Sequence, residues 1–483
     1  MMTRSVRALA LVSASAAMLS GCLVGPNYVR PSVQAPPRFK EAEGWIPAQP
    51  ADAAPRGDWW ALFNDPVLND LEQKVVVSNQ NLAAAEAAYR QAHALVAEDR
   101  AQLFPTISAT GSATRSGGGS GSVPVVTGSG GTPVISTNRT SYQVGASASW
   151  EPDLWGKIRR TIEGAKASAQ ASAADLANAR LSAQSELAID YVQLRADDEL
   201  KRLTDVTVEG YRRSAQITQN QYDAGIAAKS DVLTAETQLA NAQAQSADYI
   251  RQRQLMEHAI AVLAGEAPAE LTITPTNWTL TPPDVPVSVP STLLLRRPDV
   301  AAAERTAANA SAQIGVQVAA YYPTIDLTGQ YGFSASNLSN LFSASSALWS
   351  VGANATETLL DFGARHARVQ QAKAAYDQAV AQYRQTVLSA FQGVEDQLAA
   401  GRVLAQETPF RTEASQAADA AERIALNQYR AGTTTYTTVV VAQNTALQAR
   451  TTLISNQTDR IVAALNLITA LGGGWASSEL PKD

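Results

Sequence analysis

Cys22 is the residue whose type and setting most invite covalent chemistry. It is the only cysteine among 483 residues. It follows Arg4, Arg7, an apolar run from Ala8 to Leu19 and the small pair Ser20-Gly21. A basic start, a short apolar stretch and small residues make a secretory signal. That run is too short to cross ~30 Å of hydrocarbon as a helix. A single thiol excludes a disulfide framework. His93, His258 and His366 each fall in Ala-rich helical segments, with no partner spaced for nucleophilic or metal chemistry. Gly117-Gly118-Gly119 is followed by no lysine, so a phosphate loop is unsupported. The net charge of −6 gives no footprint for nucleic acid. Neither catalysis nor a cofactor is expected, beyond a covalent lipid on Cys22.

The elements that must carry any function come in two copies. Pro105-Thr106-Ile107 returns as Pro323-Thr324-Ile325, and Gln221-Tyr222-Asp223-Ala224-Gly225 as Gln428-Tyr429-Arg430-Ala431-Gly432. Asp153-Leu154-Trp155-Gly156 has a looser echo in Asp361-Phe362-Gly363. The offset is 218 at the first pair (323 − 105) and 207 at the second (429 − 222), so the first copy carries a longer loop. The Gly/Ser-rich stretch Ser116 to Gly131 supplies it. The organisation reads as signal 1–21, extended segment 22–65, first repeat 66–265, Pro-rich linker 266–298, second repeat 299–471 and tail 472–483.

Each repeat holds two strand-like windows and a long helical hairpin, predicting an α+β, mostly α, chain. In Ser141–Trp150 and Thr324–Phe333, apolar and polar residues alternate with period two; Thr106–Thr114 and Leu348–Thr356 alternate more weakly. Lys157 to Asn220 and Arg365 to Asn427 are helical in composition, interrupted only by Pro409. At ~1.5 Å per residue each is on the order of 90 Å long. Val369, Tyr376, Val380, Tyr383, Val387, Ala390 and Val394 keep coiled-coil spacing, while Ala372, Ala375 and Ala379 form a second face. Pro298 and Asp299 suit the start of a helix.

Strands of about ten residues match what a tilted bilayer crossing needs. A membrane sheet must close, and four strands are fewer than the roughly eight of the smallest barrels. The chain must then share one barrel with copies of itself. Asp326, Thr328 and Gln330 are expected to face its lumen, and Ile325, Leu327 and Tyr331 lipid. Trp150, Trp155, Tyr321, Tyr322 and Trp349 suit interfacial girdles.

Cys22 and the small pair before it look like a bacterial lipoprotein box, which implies an acylated Cys22 at the mature N-terminus. Val24-Gly25-Pro26-Asn27-Tyr28, Trp59 to Pro66, Leu294 to Asp299, the two Tyr-x-Ala-Gly turns and Ala470 to Trp475 resemble the TolC-type outer-membrane factors, in their lipoprotein NodT branch. The resemblance implies a homotrimer with a twelve-stranded barrel, a helical tunnel through the periplasm, and docking to a periplasmic adaptor and an inner-membrane pump. It also implies a periplasmic aperture at the hairpin tips, Tyr222–Ser230 and Tyr429–Thr437. There an Asp bonds a Tyr and a basic residue, which by position are Asp231, Tyr429 and Thr434. The basic member is missing here. Acidic ring positions hold Thr438 and Val441. Asp231 can also be read as a helix N-cap.

The reading that follows is an outer-membrane channel, a passive duct for small molecules such as drugs or metals, working with a proton-driven pump. Two others stand beside it: a duct for protein or peptide secretion, and a lipid-anchored coiled-coil scaffold without a pore. The exported substrate is not legible, because selection in such machines lies mainly with the pump.

Overall fold

The computed structural model describes residues 23–42, 58–117, 139–277, 281–283, 285 and 296–481; Cys22 and most of the Gly/Ser-rich stretch lie outside them. The helices are α1 (Pro66–Ser78), α2 (Gln80–Ala101), α3 (Lys157–Asp223), α4 (Lys229–Leu263), α5 (Pro298–Ala319), α6 (Ala364–Arg430) and α7 (Tyr436–Ala470). The strands are β1 (Thr106–Ser116), β2 (Arg139–Trp150), β3 (Thr324–Ala335) and β4 (Ala347–Thr356). The duplication is exact in helix length: α2 and α5 have 22 residues each, α3 and α6 67, α4 and α7 35. No helix among the described residues is long and apolar enough to cross a membrane.

The echoed motifs mark equivalent turns. Asp153 accepts from the Ile158 and Arg159 amides at the start of α3, and Asp361 from the Gly363 and Arg365 amides at the start of α6. Hydrogen bonds from Arg365 hold the Asp361 carboxyl down at about 2. At the other ends, Gly225 and Gly432 take φ of 74° and 72°. Each closes its helix with paired amide bonds back to the last turn, Ile226 to Gln221 and Thr433 to Gln428.

α6 runs unbroken through Pro409. The proline removes one backbone donor, and α7 supplies polar groups beside it. The Asn456 amide donates to the Leu404 carbonyl at 3.3 Å, and Thr408 donates to Asn456 at 2.9 Å. Arg460 adds a bond to Thr408 at 3.2 Å.

The chain forms two compact units, each drawing on both repeats. The first comprises the described parts of Met1–Arg30, Gln91–Ala169 and Thr306–Ala379. It holds one antiparallel sheet in the order β1-β2-β3-β4. The ends of α2, α3, α5 and α6 meet the sheet at one end. There the Trp150 indole donates to the Leu103 carbonyl at 3.0 Å, and the Trp155 indole to the Pro323 carbonyl at 2.7 Å. Trp155 also stacks on Tyr322, with centroids 4.9 Å apart.

The second unit comprises the described parts of Pro31–Arg90, Gln170–Arg305 and Val380–Asp483. Its main core packs Trp59, Trp60, Leu68 and Val75 against Leu187, Tyr191, Val387 and Leu465. A polar network ties down the linker. Arg195 donates to Asp198, to the Tyr191 hydroxyl and to the Thr274 carbonyl; Arg253 bonds Asp198 and Glu257. Asp65 caps α1 and accepts from Tyr191 at 2.7 Å. The equivalent arginine of the second repeat, Arg402, binds Glu41 of the N-terminal segment instead.

Candidate functional site

Two places bear on function: the faces of the sheet and the tips of the helical hairpins. The register turns four separate alternations into two continuous surfaces. Thr106 pairs with Ser149, Ser149 with Thr328, and Thr328 with Gly352, so these share one face. Ser108, Ser147, Gln330 and Ser350 form the next row, and Asp326 pairs with Asn354. The opposite face carries Ile107 with Ala148, Leu327 with Trp150 and Ala353, and Tyr331 with Ala146 and Trp349. One surface is hydroxyl- and amide-rich, with Asp326 and Arg139 as its charges; the other is mainly aliphatic and aromatic, with Arg115 near the end of β1.

The backbones of β2 and β3 crowd on the polar side of the sheet. A Cβ at Gly332, on the polar face, would meet the Val144 carbonyl oxygen at 2.6 Å and the Gly145 Cα at 2.8 Å. At Gly329, on the apolar face, it would meet nothing within 4 Å. Glycine facing glycine across β2 and β3, Gly145 opposite Gly332, permits that close approach. Both edge strands, β1 and β4, are exposed along their whole length, and neither has a second neighbour among the described residues.

Below the strands, a strap directly after position 22 is locked to the sheet's helix-bearing end. The buried Arg160 donates to the Val24 and Gly25 carbonyls and to Asn27 Oδ1, at 3.2, 3.4 and 2.8 Å. A Cβ at Gly315 would collide with that side chain at 2.8 Å. The Val24 amide bonds the Trp155 carbonyl. Cys22 itself lies outside the described residues.

The hairpin tips repeat a design and then diverge. In each, a tyrosine from the last helical turn packs on the first residue of the next helix. Tyr222 carries the Lys229 ammonium 5.3 Å from its ring centroid, and Tyr429 packs on Tyr436 at 5.2 Å. Tyr222 is 39% exposed and Tyr429 only 6%. Tyr429 and Tyr436 join Ala235, Ala425 and Val439 in a cluster that fastens the two hairpins together. Polar bonds reinforce it: the Tyr429 hydroxyl donates to Thr218 at 3.4 Å, and Gln443 donates to Ser214 at 3.2 Å. Burial raises both tyrosine hydroxyls, Tyr436 to about 12, and the nearby Asp231 carboxylate adds to each shift.

Asp231 is not the N-cap of α4. The cap position is Ala228, which has no side chain to offer, and Asp231 lies three residues on in the first turn. There its charge still favours the helix's positive end. Tyr429 bonds Thr218 rather than Asp231. Thr434 is half-buried in the second turn, while Thr438 and Val441 are exposed on α7. Thr438 shares a hydroxyl contact with Thr435 at 3.2 Å. Lys229 is the basic group that sequence reasoning passed over. Its signal was the motif offset, which aligns Lys229 with Tyr436 (436 − 229 = 207). Thr218, Ser214 and Gln443 gave no signal, because polar residues on an Ala/Gln/Ser-rich helix look solvated.

An open sheet with one wet and one greasy face, joined to long paired helices, defines the subunit of a membrane-spanning β-barrel channel. The outer membrane efflux protein family matches residues 71–266 and 289–473, and this chain belongs to that family. It is 31% identical over 496 residues to a toluene efflux pump outer membrane protein, TtgC, of Pseudomonas putida, covering 100% of both chains. The antibiotic efflux pump outer membrane protein ArpC of Pseudomonas putida matches with the same identity and coverage. The solved outer-membrane channel OprN superposes with a TM-score of 0.85 at 31% identity, covering 94% of this chain and 100% of that one. The protein is therefore an outer-membrane efflux channel, of α+β, predominantly helical fold, extending from the outer membrane into the periplasm.

Proposed function

We propose that three copies close one twelve-stranded barrel and form a passive export duct for small molecules, docked to a periplasmic adaptor and a proton-driven inner-membrane pump, with acyl chains on Cys22 as a second anchor. The open, two-faced sheet carries this reading. Four antiparallel strands leave β4 and β1 running oppositely, so a neighbour's β1 can pair with β4 without a change of pattern. The polar face becomes the lumen, with Asp326, Thr328 and Gln330 on it; the apolar face meets lipid.

That lumen favours weak, unselective contact. Hydroxyls, amides and glycines line most of it, with Asp326 and Arg139 as its charges among the paired rows. Relatives named for toluene and antibiotic efflux fit a duct whose cargo is chosen elsewhere. At the hairpin tips, Asp231, Tyr429, Thr434, Thr438 and Val441 form the aperture, and the bonds between hairpins hold it closed. Purified protein in detergent should have the mass of a trimer by light scattering, and should form discrete conducting steps in planar bilayers. A monodisperse monomer that still conducts would defeat the shared barrel. Absence of conductance from confirmed trimers would favour the scaffold reading. Restored peptide export without restored drug resistance, in a strain lacking its own duct, would favour secretion.

A further inference from the structure

The connection between β3 and β4 lies at the end of the sheet away from the helices, and it is chemically unlike a solvent loop. Residues 336–346 contain no charge; they are Ser, Asn and Ala with three large apolar residues, Leu338, Leu341 and Phe342. Two single-turn helices, Leu338–Asn340 and Ala344–Ser346, organise it. Its later hydroxyls are turned inward: Ser343 and Ser346 both donate to the Asn340 carbonyl at 2.8 Å. Leu341 is 3% exposed, whereas Leu338 and Phe342 are 66% and 71% exposed.

Phe342 turns toward the apolar face. The Phe342 ring meets Phe333 edge-on at 5.5 Å, and Phe333 meets Tyr331 at 5.7 Å. Tyr331 and Phe333 alternate onto the apolar face, where Tyr331 pairs with the exposed Trp349. An aromatic ladder thus passes without a break from the strand into the loop. A loop capping the lumen would instead fold over Ser334 and Gln143, which bond each other across the polar face.

We propose that Leu338 and Phe342 form a wedge that binds the outer leaflet, seated at the boundary between headgroups and acyl chains. The occupant is lipid because the wedge continues the lipid-facing surface, and the inference rests on that reading of the apolar face. Self-paired hydroxyls let the loop enter a region poor in water, where unpaired polar groups are costly. The lack of charge removes the other barrier to entry.

Nitroxide labels on Phe342→Cys, Leu338→Cys, Tyr331→Cys and Ser345→Cys, in trimers reconstituted into phosphatidylcholine vesicles, test this. Labelling is read against the parent chain, which holds only Cys22. Accessibility to oxygen relative to a water-soluble nickel chelate should be several-fold higher at 342 and 338 than at 345, and close to that at 331. Lipid exposure at 331 with water exposure at 342 and 338 would overturn the wedge and leave the barrel reading intact. Water exposure at 331 would overturn both. Leu338→Cys reads the same wedge from the neighbouring turn if Phe342→Cys fails to assemble.

Discussion

At the scale of single residues, Glu72 stands apart. It is fully buried on α1, and neither carboxyl oxygen has a hydrogen-bond partner among the described residues. Burial alone pushes it from 4.5 up to about 9, so the folded chain holds this proton at neutral pH. The unfolded chain releases it above about 4.5. Stability therefore falls as pH climbs from about 4.5 toward 9, and below that window the group imposes no penalty. At pH 7 the penalty is at most ~3 kcal/mol. Glu72→Gln keeps the shape and removes the titration. Its unfolding midpoint, followed by helical circular dichroism, should rise at pH 7.5 and match the parent near pH 4.5; equal pH profiles would show that Glu72 is ionised and solvated. Nothing in the sequence marked this residue, since a glutamate on an amphipathic helix reads as surface. Arg160 was hidden in the same way. Its role shows only when Val24, Gly25 and Gly315 are brought around it.

At the scale of elements, the strands were legible because period two is a local property. Pro105 and Pro323 fix where β1 and β3 begin, and the observed strands extend the expected windows by at most a few residues. The register was not legible. Only cross-strand pairing shows that Leu327, Trp150 and Ala353 share a face while Thr328, Ser149 and Gly352 share the other. That separation makes a sharp test. Leu327→Arg puts a charge on the apolar face and should cost ~2–4 kcal/mol if position 327 lies near the midplane. Thr328→Arg, one residue away, should be tolerated. The temperature at which the oligomer dissociates on a detergent gel reads both, and similar losses at the two positions would mean that the faces are not divided between lipid and water. The long helices were legible too, from unbroken Ala/Gln/Ser composition. The polar cluster beside Pro409 was not, because Asn456 and Arg460 come from a helix some fifty residues further on.

At the scale of the molecule, four strands too few to close already required copies of the chain, and duplication set equal hairpins beside each other. The two compact units cut across the repeats, which composition could not reveal. What the repeats do not share is the fastening between hairpins. The resemblance assigned it to Asp231 and Tyr429; the structure joins Tyr429 to Thr218 and Gln443 to Ser214, while burial and the Asp231 carboxylate keep the Tyr429 hydroxyl protonated. Each such bond contributes only ~0.5–1.5 kcal/mol. Two per chain, repeated around a trimer, sum to several kcal/mol, enough to swing a two-state aperture from shut to substantially open. Tyr429→Phe with Thr218→Val removes one bond per chain while leaving the rings of Tyr429 and Tyr436 packed. This double variant should raise single-channel conductance and sensitise cells to vancomycin, a molecule too large for the closed tip. Adding Asp231→Ala should deepen the effect if the carboxylate takes part in closure, and leave it unchanged if it only favours the start of α4. A lower melting temperature with unaltered conductance would make the Tyr429–Thr218 contact a brace within the hairpin pair. Closure in the proposed duct would then rest on packing near Thr438 and Val441, both exposed on α7.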